Sequence, residues 1–141
     1  MLSLVHDINP QWSVMGDLGW QDWSQFGAPQ IVVGDQQLNN VSRLKDTWHG
    51  AAGVQYRPTP QWRLNAGVAF DSSPYESQSD VALTLPTGDE WRFGTGAQYQ
   101  ITPASNIGIA VSYLHMQSSH VKSPVAFAGS YDHPYLWFAS V

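Results

Sequence analysis

Cysteine is absent from the 141 residues, so neither a disulfide framework nor a thiolate metal site is available. Charge is also scarce. Charged residues make up 12% of the chain, about half the share of an ordinary soluble domain. The net charge of −5 argues against nucleic acid, which is bound through clustered Lys and Arg. No run of about 18 apolar residues occurs, which excludes a transmembrane helix. Mean hydropathy is −0.26, so the chain is not uniformly apolar either.

What is abundant is aromatic: 13% of the residues, with seven Trp. Four segments carry an aromatic residue and another eight positions later, namely Trp12 to Trp20, Trp48 to Tyr56, Trp62 to Phe70 and Trp91 to Tyr99. Small or apolar residues fill the even steps between. In a strand, residues i, i+2 and i+4 share one face. Eight steps of roughly 3.4 Å span about 27 Å. Tilted by about 40°, that is roughly 21 Å of height, close to the roughly 25 Å apolar band of an outer-membrane barrel. Aromatics at both ends of such a band sit at the lipid headgroups. The pattern therefore predicts an all-β fold, an antiparallel transmembrane β-barrel. A soluble barrel with an apolar interior also alternates with period two. It has less need of Trp at both rims of strand after strand.

Short and long connections alternate. Asn9-Pro10-Gln11, the stretch 57–61 and the stretch 101–106 are brief and contain Pro, as periplasmic turns do. The stretches 34–45, 72–89 and 117–129 are longer and polar, as extracellular loops are. Seven strands are expected near 1–8, 12–33, 46–57, 62–71, 90–101, 106–117 and 130–141. The second is long enough to break near Gly27-Ala28-Pro29. Parity turns Trp48, Tyr56, Trp62 and Phe70 outward, and His49, Arg57, Arg63 and Asp71 inward. Seven strands leave two bare edges, and bacterial barrels have even strand numbers from 8 upward. The start shows no basic, Leu-rich leader. Residues 1–141 are thus expected to be one part of a larger barrel domain.

Several strings, in order along nearly the whole chain, resemble the long-chain fatty acid transporter (FadL-like) outer-membrane family, which includes aromatic hydrocarbon uptake proteins. Trp20 to Phe26 resembles its W-x-x-W-S-x-F segment. Lys45-Asp46-Thr47-Trp48, followed by Gly53 to Tyr56, resembles its K-D-T-W…G-x-x-Y strand. Trp62 to Pro74 is similar to its block ending D-x-S-P. Leu85-Pro86 with Asp89, and Tyr113-Leu114-His115, are similar to two further segments. The resemblance implies a 14-stranded barrel with an N-terminal plug, of which this chain would be the last seven strands. It also implies uptake of hydrophobic molecules and an outer-membrane location in a Gram-negative bacterium. The chain departs from the family pattern at Glu90, where a basic residue is usual. It also stops at Val141 rather than at a terminal aromatic.

No catalytic constellation stands out, so no enzyme activity, cofactor or metal is expected. His115 and His120 are five apart, on a stretch that reads as solvated loop, and no H-E-x-x-H pattern appears. Gly94-Thr95-Gly96 lacks a third Gly and reads as small lumenal residues. The inward set of the sixth strand includes Leu114 and Met116, and the last strand can turn Leu136 and Phe138 inward. These four suit either an acyl chain or packing against a plug. Arg63 and Arg92 are inward as well. They suit a fatty carboxylate, or a charge ladder with Asp17 and Asp71. The aromatics Trp12, Trp20, Trp48, Tyr56, Trp62, Phe70, Trp91 and Tyr99 read as membrane anchors rather than ligand stackers. The expected partners are a hydrophobic small molecule, membrane lipid and lipopolysaccharide, with a monomeric whole protein. A general porin or structural barrel is the alternative.

One outcome separates these readings from a soluble binder. The chain should precipitate from buffer and be recovered only in detergent. A soluble monomer without detergent would overturn the membrane assignment.

Overall fold

The computed structural model describes residues 1–24, 31–33, 36–38, 44–75, 88–121 and 129–141. They form eleven strands and, among the described residues, no helix. These are β1 (Leu2–Asp7), β2 (Trp12–Gln21), β3 (Ile31–Val33), β4 (Gln36–Leu38), β5 (Thr47–Tyr56) and β6 (Trp62–Asp71). Then follow β7 (Glu90–Thr102), β8 (Ser105–Met116), β9 (Ser119–Val121), β10 (Gly129–Tyr131) and β11 (Tyr135–Ser140). Seven make one antiparallel meander in the order β1-β2-β5-β6-β7-β8-β11. The short pairs β3–β4 and β9–β10 are small hairpins within the long connections.

Five of the seven expected strands match to within a residue or so at each end. The second does not run to position 33. It stops at Gln21, and Ile31–Val33 is a separate strand paired with Gln36–Leu38. Local side-chain bonds redirect the chain there. The Ser24 hydroxyl donates to Asp22 Oδ1 at 2.8 Å, and the Ser24 N–H donates to Asp46 Oδ1 at 3.2 Å. That backbone bond holds the exposed Asp46 carboxyl below its usual range. The last strand is also divided, into Gly129–Tyr131 and Tyr135–Ser140. His133 between them has φ 49°, a left-handed conformation, and Pro134 follows. The supposed break at Gly27-Ala28-Pro29 and the Leu85-Pro86 string lie outside the described residues, as do 34–35, 39–43, 76–87 and 122–128 of the long loops.

Each short turn is closed by a side chain that accepts backbone N–H groups the ladder leaves over. Asn9 Oδ1 accepts from Gln11 and Trp12, each at 2.9 Å. Thr59 Oγ1 accepts from Trp62 at 3.2 Å. Thr102 Oγ1 accepts from Ala104 at 3.3 Å, beside an irregularity between Gln100 and Thr102 in the β7–β8 register. Asn and Ser/Thr side chains mimic a backbone turn in this way.

The register sorts side chains onto two faces. Trp12 lies opposite Tyr56, Trp20 opposite Trp48, Trp62 opposite Tyr99, and Phe70 opposite Trp91. The first, third and fourth pairs touch, with ring centroids 4.3, 5.0 and 4.9 Å apart. Such pairs add about 0.5–1.5 kcal/mol beyond buried area. Towards the long-loop end the row continues to aromatics that spacing did not single out. Phe93, Tyr113 and Trp137 are successive cross-strand neighbours. The Tyr113 and Trp137 rings are 4.7 Å apart. Between the two aromatic rows this face carries exposed Leu18, Leu64, Ile107 and Ile109. The opposite face is mostly polar or small, with a few larger apolar side chains, and there Ser13 and Leu114 are buried, at 2% and 7% exposure.

Close strand approach makes the sheet sensitive to added bulk. A Cβ on Gly96 would lie 3.0 Å from the Ile109 carbonyl oxygen, which is ladder backbone. Gly96→Val should therefore cost about 1–3 kcal/mol. Asn9→Ala, which removes the side-chain acceptor of the Gln11 and Trp12 N–H groups and leaves Trp12 only the Asn9 carbonyl, should cost about 1 kcal/mol. Urea midpoints in detergent micelles check both. Unchanged midpoints would contradict the register.

Candidate functional site

The polar face is the candidate site, because it gathers charged and hydrogen-bonding groups beside apolar ones. The register places Arg63, Arg92, Leu114, Met116, Leu136 and Phe138 all on this face. They do not form one cluster. Arg63 sits near the short-turn end, and the other five lie towards the long-loop end.

At the short-turn end the wall carries a belt of hydrogen bonds. Buried Ser13 donates its hydroxyl to Asp7 Oδ1 and accepts from Arg57 Nη1 at 3.2 Å. Gln55 Nε2 donates to Asn65 Oδ1, and Gln98 Nε2 donates to Asn106 Oδ1, each at 2.8 Å. Arg63 Nη1 donates to Gln98 Oε1 at 3.3 Å. The β5–β6 register, continued one step past Tyr56 and Leu64, brings Arg57 opposite Arg63. Like charges directly opposite repel. Each guanidinium turns to its own partner, Arg57 towards Ser13 and Arg63 towards Gln98. Arg63 makes no ion pair among the described residues.

At the long-loop end four charged or titratable groups interlock. The His49 ring N–H at Nδ1 donates to Asp71 Oδ1 at 2.6 Å. Arg92 Nη2 lies 2.7 Å from Glu90 Oε1 and 3.9 Å from Asp71 Oδ2. Of the two roles open to Arg92, the charge ladder is the one formed. Two carboxylates already hold its guanidinium, so an incoming carboxylate would have to compete with both. Asp71 is the ladder partner expected. Asp17 is not, since it faces Ser3 and Ala51 and makes no ion pair among the described residues. Sequence reasoning left out Glu90 as a partner of Arg92, although shared parity two residues away was the available signal.

The apolar residues meet this cluster along one seam. Leu114 is opposite Arg92, and Met116 is opposite Glu90. Leu136 is opposite Leu114, and Phe138 is opposite Ser112. A charged patch and an apolar patch therefore share a border, which is the arrangement that accommodates an amphiphile. A cavity of about 660 Å³ opens beside it, lined by His49, Asp71, Glu90, Trp23, Leu44 and Pro74 among others. Among the described residues, no group of three or more His, Asp or Glu could hold a metal ion.

The family model for outer membrane protein transport proteins (OMPP1/FadL/TodX) matches residues 1–134. The chain belongs to that family. A FadL-family relative, the long-chain fatty acid transport protein of Salmonella typhi, is 29% identical over 113 residues, 79% of this chain and 26% of that protein. The protein of the same name from Escherichia coli K12 is also 29% identical, over 79% of this chain and 25% of its own length. A putative outer membrane protein of Neisseria meningitidis serogroup B is 21% identical over 137 residues. The crystal structure of a Pseudomonas aeruginosa FadL homologue superposes with TM-score 0.68 at 24% identity, covering 97% of this chain and 32% of that one. That likeness establishes the barrel-wall fold. The chain spans about a quarter of the length of the curated transport proteins it matches.

The two patches differ in energetic weight. Arg92 is half-exposed, so its pairing with Glu90 should give about 0.2–1 kcal/mol in a double-mutant cycle. Leu114→Ala, at a nearly buried site, should cost about 2 kcal/mol or more. Denaturant titration of the four cycle proteins and of Leu114→Ala checks the ordering. The reverse order would mean that charge, not packing, holds this end of the wall.

Proposed function

We propose that this wall serves passive uptake of hydrophobic substrates, such as long-chain fatty acids, across the outer membrane. The observation that carries the proposal is the seam where Leu114 and Met116 border Arg92 and Glu90. Such a wall offers an apolar track to a hydrocarbon tail and a polar margin to a head. A general porin would need a more uniformly polar lumen. Family membership supports the same reading, since relatives bear the name long-chain fatty acid transport protein.

In this proposal residues 1–141 are the C-terminal part of one barrel that is monomeric when whole. The substrate binds and diffuses, with no cofactor and no chemical step. Leu114, Met116, Leu136 and Phe138 contact the tail. Arg63, which has a neutral partner, is better placed than Arg92 to meet a carboxylate. The two aromatic rows anchor the wall at the headgroups, in contact with lipid and lipopolysaccharide.

The test is uptake of labelled oleate into liposomes carrying the full-length protein. Uptake should exceed that of empty vesicles, and Leu114→Asp should slow it by about tenfold, a barrier change of roughly 1.4 kcal/mol. Equal rates with and without protein would sink the proposal.

A further inference from the structure

Two cavities on the lipid-facing side of the wall share the same two side chains. The first is a groove of about 480 Å³ on the apolar face between the aromatic rows. Its floor is low because Gly16, Gly50 and Ala52 sit side by side on β2 and β5. Its banks are Leu2, Leu4 and Leu18 on one side, and Val68, Phe70 and Trp91 on the other. The second cavity, about 560 Å³, lies above it at the level of the long loops. Its base is again Phe70 and Trp91, with His115 beside them. Its upper part is polar and comes from Asp89, Gln117, Ser118 and His133. The tilted Phe70–Trp91 pair, 4.9 Å between centroids, is the sill between the two.

We infer that the joined cavities bind one lipid on the outer surface of the wall, with an acyl chain in the groove and a saccharide headgroup in the polar pocket. The groove lies where the surrounding medium is hydrocarbon, so an acyl chain is the occupant its position dictates. The pocket above offers an aromatic base beneath hydrogen-bonding groups, which is how an aromatic surface with one apolar and one wet side is used. Among the described residues no Lys or Arg lines the pocket, and Asp89 does. That composition disfavours a phosphate and suits the hydroxyls of a sugar.

The pocket is held open before any ligand arrives. His133 keeps its left-handed φ of 49° while its N–H donates to Ser118 Oγ at 3.1 Å. The Gln117 N–H donates to the Asp89 carbonyl at 2.8 Å, and Asp89 Oδ1 accepts from the Ser73 N–H at 2.7 Å. These bonds tie the ends of β7 and β8 and the segment before β11 into one rim. The inference rests on the assignment of this face to lipid and not on transport through the lumen.

Two detergents with one tail and different heads test it. The full-length protein is held in a short-chain zwitterionic detergent and titrated with dodecyl maltoside or dodecyl phosphocholine, and adducts are counted by native mass spectrometry. Dodecyl maltoside should bind about tenfold more tightly than dodecyl phosphocholine. Gly50→Leu fills the groove at a position where a Cβ would meet only Leu18, at an ordinary 3.8 Å. It should lower maltoside binding about tenfold. His133→Asn keeps a residue type that tolerates left-handed φ and should weaken maltoside but not phosphocholine binding. Ile109→Ala, on the same face outside both cavities, should change neither. Oleate uptake should survive all three substitutions, which separates this site from the lumenal pathway. Equal binding of the two detergents, or maltoside adducts unchanged in both Gly50→Leu and His133→Asn, would overturn the inference.

Discussion

A wall that stands in hydrocarbon cannot leave backbone N–H and C=O groups to water. Each unsatisfied group there costs several kcal/mol, so the antiparallel ladder is the interaction on which everything else depends. Six consecutive pairings, from β1–β2 to β8–β11, supply it. The side chains of Asn9, Thr59 and Thr102 complete it at the turns where the ladder ends. Once the ladder stands, each residue's face follows from its parity. The side chains have little freedom left to choose between lipid and lumen.

The two faces then answer to different physics. On the apolar face, exposure carries no penalty, because the neighbour is acyl chain rather than water. Trp48 at 61% and Ile109 at 56% exposure would be liabilities on a soluble surface, where large apolar patches mark interaction sites. On the polar face the groups must satisfy one another, and they do so in short relays: Asp7–Ser13–Arg57, Arg63–Gln98–Asn106 and His49–Asp71–Arg92–Glu90. Half-exposed ion pairs contribute little to stability. Their effect is positional, because they fix where positive charge is neutralised. That is at Arg92, between two carboxylates, and not at Arg63.

Much of this was legible before any coordinates. The strand expected at 62–71 is Trp62–Asp71, and the aromatic residues eight apart lie in two rows on one face. Period two is a local property, so a single sequence displays it directly. What was not legible is non-local. The end of β2 depends on a bond between Ser24 and Asp46, twenty-two residues apart, which no strand pattern announces. The partition of the last strand depends on one left-handed residue, His133, a conformation His adopts only in particular surroundings. The inward faces of Arg63 and Arg92 followed from parity. Which carboxylates hold Arg92, and that a Gln holds Arg63, depended on reach across neighbouring strands.

Direction constrains how such a wall closes. Six antiparallel steps separate β1 from β11, so the two edge strands run the same way. A second copy turned about an axis along the strands would set β11 beside β1 in parallel, at both seams. Turned about an axis in the membrane plane, it would pair the edges correctly but place its long loops on the opposite side. Neither keeps an antiparallel ladder and a single sidedness together. An odd number of further strands satisfies both conditions, and it brings the total to the even count of bacterial single-chain barrels. In the proposed single-chain barrel, the bare edges of β1 and β11 pair with strands of a different segment rather than with another copy of this one.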